Sequence, residues 1–295
     1  MGLPPPTSLS PSKVSTFTDC ALAFRFSAID RLPEPPSEPA TKGTLVHAAL
    51  ERLFLLPAEQ RTLPAALTAL DEAFDVLRHD PDYTGLNLDP AGEAAFRADA
   101  EQLVRRYFQL EDPRTITPIG LELLLEADLG DLKLRGIIDR LELDDDGELV
   151  VTDYKTGRVP QQHHERSRFG GVHFYAFLCE RLLGRRPARV QLLYLADPVA
   201  ITTTPTDQSI RALERRVLAI WSTIERACAN DSFQPRPSRL CDWCAFRAWC
   251  PAFGGDPAEA RRLAEARRPA EPRRRRAGLA TPGDRTSALP LASAG

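Results

Sequence analysis

Two runs of residues in this chain carry side chains that could do chemistry. In VVTDYKTG, residues 150–157, an acid and a lysine two positions apart close an apolar run. Alternation along a strand puts Asp153 and Lys155 on one face with Val151. The run before it, LRGIIDRLEL, carries Asp139, and DDDG joins the two. A three-residue loop, Asp145–Asp146–Gly147, pairs Asp144 with Glu148 and sets Asp139 opposite Asp153. A four-residue loop would instead face Asp139 with Thr152; the glycine suits the shorter turn. Two carboxylates brought close resist joint ionisation unless a cation sits between them. Hard oxygen ligands suit Mg²⁺ or Mn²⁺. Such a metal beside the Lys155 ammonium is equipment for hydrolysing a phosphate ester. A surface hairpin with a salt bridge accounts for the same residues if nothing else joins them.

Two further features bear on that choice. In GTLVHAALE, His47 and Glu51 are four apart on one helical face, and Gly43 precedes His47 by a turn, where a backbone could approach closely. CDWCAFRAWC spaces Cys241, Cys244 and Cys250 as Cys-x₂-Cys-x₅-Cys. That is one ligand short of a zinc or iron–sulfur site. The fourth must come from Cys20, Cys179 or Cys228. Cys179 within FYAFLCERLL and Cys228 late on an amphipathic segment both read as buried core thiols.

The rest of the chain must position these groups. Its 295 residues, 43% hydrophobic and 27% charged, allow one large domain or two small ones. A formal net charge of −3 means that any surface attracting nucleic acid must be local. The opening MGLPPPTSLSPSK is polar and proline-rich, unlike a signal peptide, and no run reaches membrane-span length. A cytoplasmic location is expected, where cysteines serve metals before disulfides.

Ser10 before Pro11 signals a helix start, and that helix is expected to bring Cys20 towards its end. RLPEPPSEPA, residues 31–40, reads as a non-helical connection, with a second helix from near Thr44. Helical periodicity over about 63–110, broken by HDPDYTGLNLDP, suggests a helical insertion at 57–115. From about 116, GLELLLEADLG, LKLRGIIDRLEL and ELVVTDYKTG are strand and hairpin signals. GVHFYAFLCERLLG then reads as a helix closed by Gly184, RVQLLYLA as a strand, and IRALERRVLAIWSTIERACA as a long amphipathic helix. The order implies a mixed α/β domain over 1–255, with the cysteine cluster at 241–250. Residues 256–295, rich in Arg, Ala and Pro, read as a disordered tail. Its arginines, among them Arg261, Arg262, Arg267, Arg268 and the run 273–276, either attract DNA non-specifically or are simply solvated.

GTLVHAALE, LRGIIDR and VTDYKTG, in that order, resemble the three motifs of the PD-(D/E)XK nuclease superfamily in its RecB-like exonuclease branch. LSPSKVSTFTDCALAFRF resembles the Leu-Ser-x-Ser helix and cysteine that open that branch, so the likeness spans about residues 9–252. The resemblance implies an α/β, restriction-endonuclease-like core with a mixed central sheet flanked by helices. It implies His47, Asp139 and Asp153 as metal ligands, the Tyr154 carbonyl as a backbone ligand, and Lys155 as the catalytic lysine. Glu122 resembles an acid on the strand before the Gly-x-x-Asp motif, and Glu51 is a candidate support for the site. Tyr175 matches the tyrosine of a Gln-x-x-x-Tyr motif, but Gly171 stands where the glutamine belongs. In AddB-type nuclease domains and CRISPR-adaptation exonucleases, one early cysteine joins three late ones around a [4Fe–4S] cluster. Cys20, Cys241, Cys244 and Cys250 match that clasp, with zinc as the alternative occupant. Trp243, Phe246 and Trp249 are expected to shield the site or to stack on bases.

The expected activity is Mg²⁺- or Mn²⁺-dependent hydrolysis of DNA, exonucleolytic and on single strands or ends, in repair or recombination. Without a Gly-x-x-x-x-Gly-Lys-Ser/Thr motif, any unwinding falls to a helicase or repair partner. A catalytically silent DNA-binding module on the same fold is the alternative; here the acids and the lysine are all present. Ser10-Pro11-Ser12-Lys13 with Lys155-Thr156-Gly157 fits two of three serine β-lactamase motifs, but the intervening Ser-x-Asn is missing.

Overall fold

The computed structural model describes residues 2–159 and 165–267, and the side chains of 165–170 are left undescribed. Five strands form one sheet in the order β1-β2-β3-β4-β5: Thr117–Leu129, Leu132–Leu143, Leu149–Lys155, Arg189–Tyr194 and Val199–Thr203. β1, β2 and β3 form an antiparallel meander; β4 runs parallel to β3, and β5 antiparallel to β4. The parallel step needs a crossover, which α7 (Glu165–Leu183) supplies. The mixed sheet flanked by helices is the expected architecture; β5 was not among the expected strands.

Each face of the sheet buries a separate core. On one side, Leu125, Leu134, Val151 and Leu192 pack with α7 and with the stripe Ile210, Leu213, Val217, Ile224 and Cys228 of α8 (Asp207–Asn230). A capping box between Thr206 and Ser209 starts α8, and Asp231 ends it in a left-handed conformation. On the other side, Tyr154 and Leu193 meet α3 (Glu38–Leu55), α4 (Leu63–Leu77) and α6 (Pro90–Tyr107). Thr62 and Asp89 cap α4 and α6. The break between them contains the one-turn helix α5, Pro81–Thr84. Among the described residues no helix is long and apolar enough to cross a membrane.

Three boundaries differ from expectation. The helix from Ser10 ends at Asp19 as α1, Pro11–Asp19. Cys20 follows in extended conformation, ahead of α2 (Ala21–Phe24) and a π-helical turn through Ile29. α3 begins at Glu38, inside the proline-rich connection, because a proline in the first turn has no hydrogen bond to lose. Residues 257–267, expected to be disordered, form α9, Pro257–Arg267. Asp256 caps Ala258, Ala260 is fully buried in the main core, and Arg261 pairs with Asp231. Ala, Glu and Arg are strong helix formers, and one buried alanine suffices to seat the turn. Arg268 and the arginine run 273–276 lie outside the described residues.

Candidate active site

The site forms where two strands part. β2 and β3 stay paired from Leu143↔Leu149 to Arg140↔Thr152, with Asp144 and Glu148 hydrogen-bonded across the three-residue turn. That register carries Asp139 opposite Asp153, as the shorter loop requires. Past Arg140, β3 remains bonded only to β4, with Asp153 beside Leu192 and Lys155 beside Tyr194. The Tyr154 amide donates instead to the Asp139 carboxylate at 2.7 Å. The acid thereby satisfies a buried amide that would otherwise lack a partner, and is fixed by it.

α3 crosses this opening. A Cβ at Gly43 would meet the Thr156 hydroxyl at 3.2 Å, so the missing side chain lets the helix approach the end of β3. One turn later His47 places Nε2 3.2 Å from the Tyr154 carbonyl. Its Nδ1 lies 3.6 Å from Asp139 Oδ2 and 3.8 Å from Glu122 Oε1. Burial opposes charge on the ring, but the Asp139 and Glu122 carboxylates outweigh it and push His47 up to about 10. The proton thus sits where the acids call for a cation. Ligand atoms of His47, Glu122 and Asp139 all lie within 4.8 Å of one another, a donor set of hard oxygens and an imidazole that fits Mg²⁺ or Mn²⁺. Glu122 reaches the group from a left-handed backbone, φ 44°, beside the β1 bulge. A side chain in that region costs about 1–2 kcal/mol, which surrounding structure must offset.

Asp153 is 4% exposed. Burial first, then the Asp139 charge, raises its pKa, while Lys155 counteracts. Oδ2 has no hydrogen-bond partner beyond the Lys155 ammonium it faces. Burial works against the Lys155 charge, yet Asp153 dominates and its pKa is raised, so it stays an ammonium. Tyr175 on α7 points its hydroxyl at Asp153 Oδ1, 3.4 Å away. It reaches there because residue 136 is glycine: a Cβ would meet Leu178 at 2.9 Å and the Tyr175 ring at 3.2 Å. Gly171, one turn earlier, lines the same cavity of about 830 Å³ as Asp153, Lys155 and Tyr175, leaving open the place of a glutamine side chain.

Glu51 is not part of this group. It lies roughly 6 Å along the helix axis from His47, beyond the reach of the strand acids. Among the described residues it has no ion pair or hydrogen bond. Sequence reasoning missed the support beneath the site. Arg140, fully buried, bonds Glu111, the Tyr107 and Tyr154 hydroxyls and Thr152, and pairs with Glu142. Gln191 joins through Glu111 and Thr152. The only signal was an arginine inside the apolar run LRGIIDRLEL.

The cysteines form a second centre. Cys20, Cys241, Cys244 and Cys250 line one cavity of about 590 Å³. Backbone amides of Arg236 and Ser238 donate to the sulfurs of Cys20 and Cys241. Burial raises the Cys244 pKa, and the other three thiols add to it. Cys179 and Cys228 are buried core thiols, as expected. Phe246 is 5% exposed and Trp249 packs with it against Phe26, whereas Trp243 is 88% exposed. Trp243, at the end of a short 3₁₀ turn, lines the rim of the cysteine cavity but stays open to solvent, so shielding falls mainly to Phe246 and Trp249.

Comparison with known proteins places the fold and the family. Over 271 residues the chain is 24% identical to the Gene 69 protein of Mycobacterium phage D29, covering 83% of this chain and 96% of that one. A candidate exonuclease of Eubacterium rectale shares the fold, with a TM-score of 0.51 at 14% identity, over 81% of this chain and 87% of that one. The family model of the PD-(D/E)XK nuclease superfamily matches residues 8–251, which include the splayed strands, His47 and all four clustered cysteines. The chain belongs to the PD-(D/E)XK nuclease superfamily.

Proposed function

We propose that this protein is a Mg²⁺- or Mn²⁺-dependent deoxyribonuclease of the RecB-like branch, acting exonucleolytically on single strands or ends. The observation that carries the reading is the convergence of His47, Glu122, Asp139, Asp153 and Lys155 at one splayed strand end. His47, Asp139 and Asp153 would hold the metal with the Tyr154 carbonyl, and Glu122 would complete the set. When bound, the metal supplies Lewis acidity towards a phosphoryl oxygen and towards water. Asp139 is oriented by the Tyr154 amide, so its carboxylate is held before a ligand arrives. Lys155, kept as an ammonium by Asp153, has donors left for a phosphoryl oxygen where negative charge grows. Tyr175 steadies Asp153 from α7. The likeness to a candidate exonuclease agrees with action at ends. Work in cytoplasmic DNA repair or recombination, with unwinding left to a helicase partner, follows from the branch.

For the four thiols we assign a structural [4Fe–4S] cluster. Among the described residues, His47, Glu122 and Asp139 are the one group with three ligand atoms mutually within 4.8 Å. The sulfurs are thus spread more widely than those of a tetrahedral zinc site, about 3.8 Å apart for Zn–S bonds of about 2.3 Å. End-labelled single and double strands incubated with Mg²⁺, Mn²⁺ or chelator test the activity. Metal-dependent cleavage that falls about 10²–10³-fold in Lys155→Ala, with unchanged circular dichroism, is the expected result. Equal cleavage by Lys155→Ala would refute the assignment. Iron and zinc analysis of anaerobically purified protein separates the two occupants of the thiol site.

A further inference from the structure

The edge of β2 left free by β3 is taken up again by the N-terminal segment. Leu9 lies parallel to β2 opposite Leu134, its amide bonded to the Lys133 carbonyl at 2.9 Å and its carbonyl to the Arg135 amide at 2.8 Å. Between this bridge and the end of β3 the edge at Gly136 and Ile137 opens into the cavity that also holds Asp153 and Lys155. The bridge brings the start of α1 to this cavity, so Lys13 and Arg135 line it together with Asp153 and Lys155.

Lys13 and Arg135 are short of counter-charge. Lys13 gives one donor to the Ser8 carbonyl at 3.0 Å. The charges that act on it are Arg31 and Arg135, both repulsive, and among the described residues it forms no ion pair. Arg135 has one acid, Glu126, 3.7 Å away and exposed like itself. Half-buried Lys13 beside a second cation is stabilised when an anion binds between them. The carboxylates of the site would repel a polyanion at the point where it must be cut. A strand entering the site therefore needs neutralisation beside it, and Lys13 and Arg135 line the same cavity as Asp153 and Lys155.

We propose that Lys13 and Arg135 form a phosphate subsite that holds the substrate strand by a phosphate next to the one being cleaved. The Ser12 hydroxyl, hydrogen-bonded to Ser10 at 2.9 Å, lies at the mouth of the same cavity and adds a donor. This inference deepens the nuclease reading and rests on it for the identity of the strand. The phosphate is either an internal phosphodiester or a terminal phosphate, which share this chemistry.

The test is the salt dependence of binding, read by fluorescence anisotropy of a short labelled oligothymidylate with Ca²⁺ in place of Mg²⁺. Each phosphate contact on a single strand contributes about −0.7 to the slope of log affinity against log salt. Lys13→Gln and Arg135→Gln should each flatten the slope by part of that amount, and the double variant by about the whole of it. Lys13→Arg should restore the wild-type slope, which separates lost charge from a disturbed α1. Arg97→Gln, on the helical insertion, should leave the slope alone. Loss confined to 5′-phosphorylated strands assigns a terminal phosphate; loss on 5′-hydroxyl strands as well assigns an internal one. A double variant that melts like wild type and keeps the full slope overturns the subsite. Wild-type protein that shows the charge-dependent slope but leaves DNA intact with Mg²⁺ and Mn²⁺ would instead overturn the nuclease reading and leave the subsite standing.

Discussion

The acidic site and the cysteine lobe are built in opposite ways. His47, Glu122, Asp139 and Asp153 project from α3, β1, β2 and β3, long elements buried on two sides by separate cores. The lobe consists of three 3₁₀ turns, Arg239–Trp243, Arg247–Trp249 and Pro251–Phe253, with half-buried thiols and few apolar anchors beyond Phe246. The first site holds its geometry whatever it binds. In the second, a bound ligand would supply order that packing does not. On the proposed reading, a metal would add chemistry to one region and stability to the other.

The sharpest way to break that contrast is to empty each site in turn. Cys244→Ser should release the clasp between Cys20 and the lobe and cost on the order of 5 kcal/mol, the closure entropy of so long a loop. Withholding Mg²⁺ and Mn²⁺ should shift the melting temperature far less, because His47 then carries the compensating proton. Equal losses in calorimetry would erase the distinction. Next in size, Arg140→Met leaves Glu111 and Glu142 buried without their cation, for a loss of about 3–5 kcal/mol in urea titration. A loss below about 1 kcal/mol would mean that the acidic site does not rest on this network. Within the lobe, Phe246→Ala should cost about 3 kcal/mol and Trp243→Ala less than about 0.5, since only the former is buried. The smallest effect concerns the C-terminus. A chain ending at residue 255 should lose about 1–2 kcal/mol with the buried Ala260 and the Arg261–Asp231 pair. One ending at residue 267 should melt like the full chain.

Much of the sheet was legible because its signals are local. The glycine-bearing turn after Asp144 settles the β2–β3 register by short-range hydrogen bonds, and Ser10 caps α1 regardless of what surrounds it. Residues 257–267 differ from expectation for a related reason. Their composition lacks apolar residues on average, but α9 docks through the buried Ala260, with Ala264 packed beside it. Composition averages over residues, whereas burial acts on one.

The acidic centre was legible only in part. Order and residue type bring His47, Asp139, Asp153 and Lys155 to notice, and strand alternation with turn length joins three of them. Helical spacing gave His47 and Glu51 equal standing; only the height at which α3 crosses the strands separates them. Glu122 itself adopts a left-handed backbone two residues past the β1 register shift, which alternation cannot foresee. Arg140 is buried where Tyr107, at the end of α6, and Glu111 beyond it meet the sheet.

By itself the sequence determined the features that neighbours within a few residues dictate: the strands, their turn, the helix caps, and the supply of acids, lysine and thiols. The tertiary structure alone decided which of these meet. The parting of β2 from β3, the Leu9 bridge that brings Lys13 into one cavity with Arg135 and Asp153, and the gathering of the four cysteines around another all join residues far apart in the chain. Such contacts depend on how separate elements pack, and no local pattern encodes that.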